Sequence, residues 1–371
     1  MPSNTVVESP QYLEEQIITY IGNKRSLLTL IDKAVNIVKG KLGCNKISAL
    51  DLFSGSGIVA RNLKKHTHTL YVNDIEYYSQ ILNKCYLTNK SFVNIKEIEE
   101  KLLYITDKIR KVWEPGFITD LYAPKDETII SNEDRVFYTK RNAIYIDTAR
   151  QLIAELPEKE QHFFLAPLLV EASIHANTSG VFKGFYKNAN GIGQYGGHKK
   201  DALKRILNDI NINTPIFSFN ENKYYIYRSD ANDLVRKIPH VDLAYFDPPY
   251  NQHPYGSNYF MLNLIARYEK PDNISKVSGI PTDWNRSKYN AKKVACATLF
   301  DALENCNAKY ILLSYNSEGF VPHCDLLKEI KKIGNVEVLE TPYNTYRGSR
   351  NLWRRPIHVT EYLYLLEKNN V

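Results

Sequence analysis

Seven short runs of β-branched and aromatic residues along the chain have the pattern of β-strands. Several of these runs are apolar throughout, which is typical of strands covered on both faces of a sheet. Helical periodicity fills most of the intervals between them, and this alternation predicts a largely parallel α/β sheet. The predicted strands are residues 47–53, 69–73, 224–228, 241–246, 309–315, 336–341 and 359–366.

The helix predictions rest on apolar residues spaced three and four apart, which lie on one face of a helix. Leu28, Ile31 and Val35 have this spacing near the start of the chain, and a longer stripe runs from Ile95 to Val112. Helices are predicted at residues 25–38, 95–113, 143–156 and 160–176.

The second and third predicted strands are separated by an unusually long interval. The second ends near Asn73 and the third begins near Tyr224, which leaves about 150 residues where a crossover needs roughly a dozen residues or a single helix. We therefore expect residues 86–222 to be a helical and loop subdomain, inserted between the two halves of one domain at 1–85 and 223–371.

The composition limits the class of protein. Of 371 residues, 43% are hydrophobic and 24% are charged, as in an ordinary folded soluble protein. The first residues lack the pattern of a secretory signal, and no apolar run approaches the ~20 residues that span a bilayer. The five cysteines are scattered without a CxxC pair, and His162, His175 and His198 do not form a ligand set. We expect a cytoplasmic protein without a disulfide framework, a bound metal or a membrane partner.

The net charge of +7 is concentrated in two segments. Residues 181–205 hold six basic residues and one acidic residue, and residues 343–355 hold four arginines and no acidic residue. Both segments also contain aromatic residues and glycines. Basic patches with aromatics suit a nucleic-acid backbone and unstacked bases, although two solvated loops would have the same composition.

A glycine-rich turn follows the first predicted strand. Residues 50–57 read LDLFSGSG, and Gly55 and Gly57 would allow the backbone to approach a bound nucleotide closely. The second strand ends at Asp74, about 20 residues beyond the turn, where an acid can accept hydrogen bonds from ribose hydroxyls. The alternative role for Asp74 is a cap of the next helix.

A second glycine pattern has the letters of a dinucleotide motif without its context. Gly191, Gly193 and Gly196 match GxGxxG, but the preceding residues KNAN do not form a strand. We interpret this segment as a mobile loop.

The most specific motif is Asp247-Pro248-Pro249-Tyr250, directly after the predicted strand VDLAYF. The prolines fix φ and remove two N–H donors, so the adjacent carbonyls can face a cleft at the carboxyl edge of the sheet. A carboxylate beside a carbonyl offers two acceptors for one NH2 group, and Tyr250 offers a face on which a base can stack. The alternative is a proline-rich strand end.

These motifs, in this order, resemble the Dam-like, D12-class adenine-N6 DNA methyltransferases, which use S-adenosylmethionine. The resemblance runs from about residue 18 to the C-terminus, and residues 20–28 (YIGNKRSLL) are similar to the N-terminal motif of that group. It implies a Rossmann-like seven-stranded methyltransferase sheet with an inserted DNA-recognition subdomain. The catalytic residues that it implies are Asp247, Pro248, Pro249 and Tyr250. The cofactor-binding residues that it implies are Tyr20, Lys24, Asp51, Phe53, Gly55, Gly57, Asp74, Asp230 and Asp247.

Residues 177–188 and 193–199 resemble the DNA-recognition hairpin of the group, and residues 343–353 resemble its C-terminal loop. The resemblance implies double-stranded DNA as the partner, localisation at the nucleoid, and a possible restriction endonuclease acting separately. The DNA-binding residues that it implies are Lys183, Phe185, Tyr186, Lys187, Gln194, Tyr195, Arg347 and Arg350.

Asp247 favours adenine in DNA, because related RNA enzymes usually have asparagine at this position and cytosine-N4 enzymes often have serine. No cysteine follows a proline, which argues against cytosine-C5 methylation. Two alternatives remain at this point: a methyltransferase of RNA or another amino group with the same core, and a non-catalytic DNA-binding relative.

Overall fold

The computed structural model describes residues 7–14, 17–197, 199–344 and 358–369. Within them, seven strands form one sheet, and each predicted strand is confirmed with ends that differ by three residues or fewer. The strands are β1 (Ile47–Asp51), β2 (Thr67–Asn73), β3 (Lys223–Tyr227), β4 (Val241–Phe246), β5 (Ala308–Asn316), β6 (Gly334–Asn344) and β7 (His358–Lys368).

The strand order is β3-β2-β1-β4-β5-β7-β6. The first five strands in this order are parallel, and β7 is antiparallel to both β5 and β6. The order reverses direction between β1 and β4, so the chain after β1 and the chain after β4 leave the same edge of the sheet side by side. The result is a mixed, Rossmann-like α/β sheet in which this edge is the expected place for a ligand.

Helices cover both faces of the sheet. The helices are α1 (Pro10–Glu14), α2 (Leu28–Leu42), α3 (Ile58–Lys64), α4 (Tyr77–Tyr86), α5 (Ile95–Lys111), α6 (Phe117–Tyr122), α7 (Lys140–Ala154), α8 (Glu158–Ile174), α9 (Leu203–Leu207), α10 (Ala231–Val235), α11 (Tyr255–Asn258), α12 (Phe260–Arg267), α13 (Lys292–Asn305) and α14 (His323–Ile330). Short 3-10 turns lie at Lys24–Leu27, Lys90–Phe92 and Lys288–Asn290. Buried residues of α2 and α3 pack on one face of the sheet, and those of α10, α13 and α14 pack on the other.

The helix predictions are confirmed with shifted ends. Residues 24–27 form a 3-10 turn, so α2 begins at Leu28. It ends at Leu42, and Gly43, with a φ of 64°, is its left-handed C-cap. In α5 the buried stripe consists of Ile98, Ile105 and Ile109. Val112, predicted to extend that stripe, lies beyond the helix and is 45% exposed.

Residues between β2 and β3 hold α4 to α9 and share a third hydrophobic core. That core joins Tyr78 of α4 and Ile146 of α7 to Leu168 of α8 and Met261 of α12. The inserted helices therefore pack on elements that lie directly beside the sheet, while the three-part division of the chain stays a prediction. None of the helices in the described residues is long and apolar enough to cross a membrane.

Candidate active site

A cleft opens at the carboxyl edge of the sheet, the place where open α/β sheets bind small ligands. It lies where the strand order reverses, and residues that follow β1, β2, β3 and β4 all contribute to its wall. The predicted residues that line it are Tyr20, Phe53, Asp74, Asp230, Asp247 and Pro249.

The turn after β1 touches an aromatic wall. Gly55 has a φ of 52°, and a Cβ there would lie 2.6 Å from the Tyr20 ring. A glycine is therefore required both by the backbone conformation and by the close approach. Tyr20 is held in place by stacking on Tyr255 and Tyr259, with ring centroids 5.1 and 4.8 Å away. Gly57 directly precedes α3 and has a φ of 80°. A Cβ added to Gly57 would lie 2.6 Å from the side-chain amide oxygen of Asn83.

Asp74 fixes the turn rather than the following helix. One carboxylate oxygen accepts a hydrogen bond from the Gly55 backbone N–H at 2.8 Å, and the other accepts from the Glu76 N–H at 2.9 Å. Glu76 occupies the N-cap position of α4, so Asp74 is not the cap of that helix. Burial raises the pKa of Asp74 to about 6, although the two N–H donors oppose the rise.

Phe53, Asp51 and Asp230 surround the turn. The Phe53 ring meets Phe246 and Tyr289 edge-on, at centroid distances of 6.1 and 5.1 Å. Asp51 is fully buried at the end of β1, and burial, with the neighbouring Asp247 and Asp74 charges, raises the pKa of its carboxyl. Asp230 caps α10 by accepting hydrogen bonds from the N–H groups of Asn232 and Asp233.

The Asp-Pro-Pro-Tyr motif leaves β4 at the same edge. The Asp247 side chain is 18% exposed, and one of its oxygens lies 3.1 Å from the Lys24 ammonium. Burial raises the pKa of Asp247 to about 6, and Lys24 opposes the rise. Pro248 is buried, whereas Pro249 lines the cleft. The Tyr250 ring is partly buried beside Lys24, whose ammonium lies 5.8 Å from the ring centroid.

With this geometry established, comparison with known proteins identifies the family. The family model for D12 class N6 adenine-specific DNA methyltransferases matches residues 20–322. The chain belongs to this family. It is an adenine-specific DNA methyltransferase, and membership argues against the two alternatives left open by the sequence.

Named relatives of the methyltransferase agree. Type II methyltransferase M.NlaIII of Neisseria lactamica is 30% identical over 360 residues, which are 95% of this chain and 99% of the relative. Type II methyltransferase M.CviAII of Paramecium bursaria Chlorella virus 1 is 29% identical over 89% of this chain and 93% of its own. Type II methyltransferase M.FokI of Planomicrobium okeanokoites is 29% identical over 94% of this chain, which spans only 52% of that protein.

Several residues of the methyltransferase's cleft have little or no signal in the sequence. The most conspicuous is Glu76, which is 2% exposed and accepts from the side-chain amides of Asn263 at 2.5 Å and Asn285 at 3.0 Å. Burial raises the pKa of Glu76 to about 7, and the Asp74 charge adds to the rise. Its position two residues after Asp74 was the available signal. Ser287, Tyr289 and Asn290 also line the cleft without any such signal.

Another missed residue of the methyltransferase lies behind Asp247. Glu361 of β7 is fully buried, and its carboxylate is 3.0 Å from the same Lys24 ammonium. Burial alone would lower the pKa of Lys24, but the Asp247 and Glu361 carboxylates outweigh burial and hold that pKa above its ordinary value. Glu361 begins the run EYLYLL of the C-terminal strand, whose residues indicate a strand but give no sign of an ion pair with Lys24.

The predicted recognition segment forms a small hairpin. Lys187 and Gly193 pair across it, and the Gln194 N–H donates to the Tyr186 carbonyl at 3.0 Å. Lys183 is exposed, while Phe185 packs edge-on against Phe137. The GxGxxG letters lie in the turn and second arm of this hairpin, away from the sheet.

Two aromatic residues of the hairpin are partly engaged within the protein. The Tyr195 hydroxyl donates to Glu127 at 2.6 Å, and burial and the Glu127 charge raise the pKa of that hydroxyl. Tyr186 lies against Gly197, where an added Cβ would come within 3.2 Å of the ring. The DNA-binding roles of these residues stay predictions. Arg347 and Arg350 lie outside the described residues, as does His198. Among the residues that the structure describes, no cluster of histidines, cysteines and acidic residues could hold a metal ion.

Proposed function

We propose that this chain is a site-specific methyltransferase that uses S-adenosylmethionine bound in the cleft and modifies N6 of an adenine in duplex DNA. The observation that carries the proposal is the Asp247 carboxylate at the edge of the cleft, held by the buried Lys24. When bound, S-adenosylmethionine supplies a methyl group on a positively charged sulfur.

The residues of the cleft fit this cofactor. Asp74, Glu76, Asp230 and Asp247 line it, and none of the lysines or arginines in the described residues does. A cavity lined by carboxylates favours a cationic ligand. Tyr20 adds an aromatic face directly over the glycine turn.

We assign the cofactor's parts to residues by their chemistry. Asp74 and Glu76 are buried acceptors suited to ribose hydroxyls, and charged acceptors form the stronger hydrogen bonds. Phe53 and Tyr289 form an aromatic wall suited to a nucleobase. Asp230 lies on that wall. Lys24 fixes Asp247 by an ion pair and does not line the cleft itself. Asp51, at the end of β1, and Gly57, directly before α3, lie at the two ends of the glycine turn.

Asp247 has the central role in the chemistry that we propose. The adenine amino nitrogen is a poor nucleophile because its lone pair is delocalised into the ring. The Asp247 carboxylate and the Pro248 carbonyl accept hydrogen bonds from the two N–H groups of this amino nitrogen. These bonds favour a tetrahedral nitrogen with an available lone pair. Preorganised acceptors of this kind supply much of the rate acceleration in enzymes. Because its pKa is about 6, Asp247 is ionised and able to accept at neutral pH.

The target amino group lies inside the double helix, so we propose that the adenine leaves the stack and that Tyr250 packs against it. The exposed Lys183 and the basic segment 343–355 contact phosphates, which contribute affinity without sequence information. The hairpin at 186–194 contacts neighbouring bases and contributes the site preference.

Relatives named as type II methyltransferases support a role in a restriction-modification system. We propose that the chain protects its host's DNA from a restriction endonuclease that acts as a separate protein. Detection of N6-methyladenine in the genome of an expressing host, by sequencing, tests the product and its sequence context together.

The catalytic proposal is tested with Asp247→Ala. We expect methyl transfer to duplex DNA to be nearly abolished while DNA affinity is largely kept, because phosphate contacts supply most of that affinity. Tyr250→Ala should lose roughly 1–3 kcal/mol of base stacking, and Tyr250→Phe should keep much of the activity. Turnover, DNA binding and thermal stability are measured on the same preparations.

Asp325→Ala, an exposed aspartate of α14, is the matched control and should be fully active. A folded Asp247→Ala protein with wild-type turnover would refute the proposed role. RNA and protein extracts, offered as substrates under the same conditions, should receive no methyl groups.

A further inference from the structure

Lys24 lies between two carboxylates at nearly equal distances. Its ammonium is 3.1 Å from Asp247 and 3.0 Å from Glu361, and the Lys24 and Glu361 side chains are 2% and 0% exposed. One buried positive charge is therefore shared by two negative charges. A simple ion pair between Lys24 and Asp247 would not require the second buried carboxylate.

Glu361 is fixed from the neighbouring strand. The Ser314 hydroxyl donates to one carboxylate oxygen at 2.7 Å, and the Asn316 side-chain amide donates to the other at 3.1 Å. In the sheet register, Asn316 of β5 lies directly opposite Glu361 of β7. These two donors, together with the Lys24 ammonium, give both oxygens of the buried Glu361 carboxylate a partner and fix its position.

The charge balance bears on what Asp247 can accept. A lysine paired with Asp247 alone would withdraw electron density from the carboxylate and make it a weaker acceptor. When Glu361 competes for the same ammonium, Asp247 stays the more basic, and a more basic carboxylate accepts a hydrogen bond more strongly. A strong acceptor at Asp247 matters most during methyl transfer, because positive charge then develops on the adenine amino group and makes it a better hydrogen-bond donor.

We infer that Glu361 is a positioning residue that acts through Lys24, sharing the lysine's charge so that Asp247 is both held in place and kept a strong acceptor. This inference rests on the proposed role of Asp247. It assigns a catalytic consequence to a buried glutamate of the last strand that never touches the cleft.

Other groups facing Asp247 do not substitute for this arrangement. Tyr245 precedes it in β4, Tyr250 and Tyr255 follow it, and Asp51 ends the adjacent β1. Tyr245 and Tyr255 are neutral at neutral pH, because burial raises the pKa of each hydroxyl well above its ordinary value. Asp51 is fully buried, and burial and the Asp247 charge raise the pKa of its carboxyl, whereas Glu361 lies within ion-pair distance of Lys24.

The test is the pH profile of methyl transfer in single-turnover experiments, with saturating S-adenosylmethionine and DNA. The wild-type protein should lose rate as pH falls through the Asp247 pKa of about 6. This fall is the acidic limb of the pH–rate profile. Glu361→Gln removes a negative charge near Asp247, so the acidic limb should move to lower pH, by roughly 1 unit. The rate on the plateau should fall about tenfold, which corresponds to 1.4 kcal/mol. Glu361→Asp keeps the charge and should restore both values in part.

Lys24→Met removes the opposite charge, and its acidic limb should move to higher pH. Lys24→Met leaves the buried Glu361 carboxylate without its cation, so the double variant Lys24→Met/Glu361→Gln, which removes both charges, should fold even where Lys24→Met does not. Its limb should lie below that of Lys24→Met. Glu367→Gln, six residues along β7 and paired with the exposed Lys41, is the matched control and should leave the profile unchanged.

An acidic limb that stays in place in Glu361→Gln, or that does not differ between Lys24→Met and the double variant, would overturn the inference. A lower rate that follows thermal stability without a shifted limb would mean that Glu361 serves the fold alone. Both results leave the role of Asp247 intact if Asp247→Ala is inactive. An active Asp247→Ala protein would instead refute the proposed function itself.

Discussion

Replacing Asp74 by asparagine separates cofactor binding from folding, because the change removes a charge and keeps the shape of the side chain. Asp74 accepts backbone N–H groups of Gly55 and Glu76 on its two oxygens. Asparagine has one oxygen, so one buried N–H loses its acceptor, at a cost of about 1–3 kcal/mol. The substitution also removes a carboxylate whose ionisation is disfavoured in the folded protein.

The size of that second effect follows from the pKa. The folded value of about 6 exceeds the reference value of 3.8, so the folded state binds the proton more tightly than the unfolded chain. Stability therefore falls as pH rises through this window, by up to about 3 kcal/mol at neutral pH. In Asp74→Asn, the stability gained by removing the buried charge and the stability lost with one N–H acceptor nearly cancel. We therefore expect this variant to be close to the wild type in stability near neutral pH. At about pH 4, where the wild-type carboxyl is protonated, the variant should be the less stable of the two.

Cofactor affinity should behave differently. A hydrogen bond to a charged group contributes about 1.5–3 kcal/mol, so S-adenosylmethionine should bind more than tenfold more weakly to Asp74→Asn. Calorimetry measures the affinity, and denaturant unfolding at the two pH values measures the stability. Asp134→Asn is the matched control, because Asp134 also accepts two backbone N–H groups and does not line the cleft. Unchanged affinity in a folded Asp74→Asn protein would refute the assignment of Asp74 to the ribose.

Two further predictions concern the glycine turn and the hairpin. Gly55→Ala should destabilise the protein by roughly 1–3 kcal/mol in thermal unfolding, because the new Cβ meets the Tyr20 ring at 2.6 Å, whereas Gly40→Ala in α2 meets no atom within 4 Å and should be neutral or stabilising. A stable Gly55→Ala protein would mean that Tyr20 moves freely. Lys183→Ala and Gln194→Ala should change which sequences are methylated more than they change cofactor affinity, with the exposed Lys96→Ala as control. An unchanged methylome after both changes would place readout outside the hairpin.

The parts of the site that could be predicted are those joined to strand ends. Parallel strands that alternate with helices must release their carboxyl ends at one edge, so the turn at Gly55, the acid at Asp74 and the motif at Asp247 were expected to meet. Their apolar strands are buried on both faces, and burial of this kind is visible in the sequence. The hairpin at 186–194 was expected only from the resemblance to the family, because its glycine pattern by itself indicated a mobile loop.

The residues that the sequence does not reveal reach their positions only through contacts between distant parts of the chain. Glu361 reaches Lys24 only because β7 inserts antiparallel between β5 and β6, a pairing that no local pattern encodes. Glu76 is turned into the cleft by amides from Asn263 and Asn285, which lie far along the chain. The Tyr195 hydroxyl donates to Glu127, a contact between distant positions that the sequence does not reveal, and the contact of Tyr195 with DNA stays a prediction.

The accumulated negative charge in the cleft carries a cost that a bound cation would relieve. Burial raises the pKa values of Asp74, Glu76 and Asp247 to between about 6 and 7, so near neutral pH each is close to taking up a proton. A cationic ligand favours the ionised forms and would lower these pKa values as it binds. Protons and the proposed cofactor therefore compete for the same carboxylates. Lys24 takes no part in this competition, because it does not line the cleft and is paired with Glu361 behind Asp247. Asp247 is therefore held by a cation on one side, and its other side stays open to the amino group of the adenine.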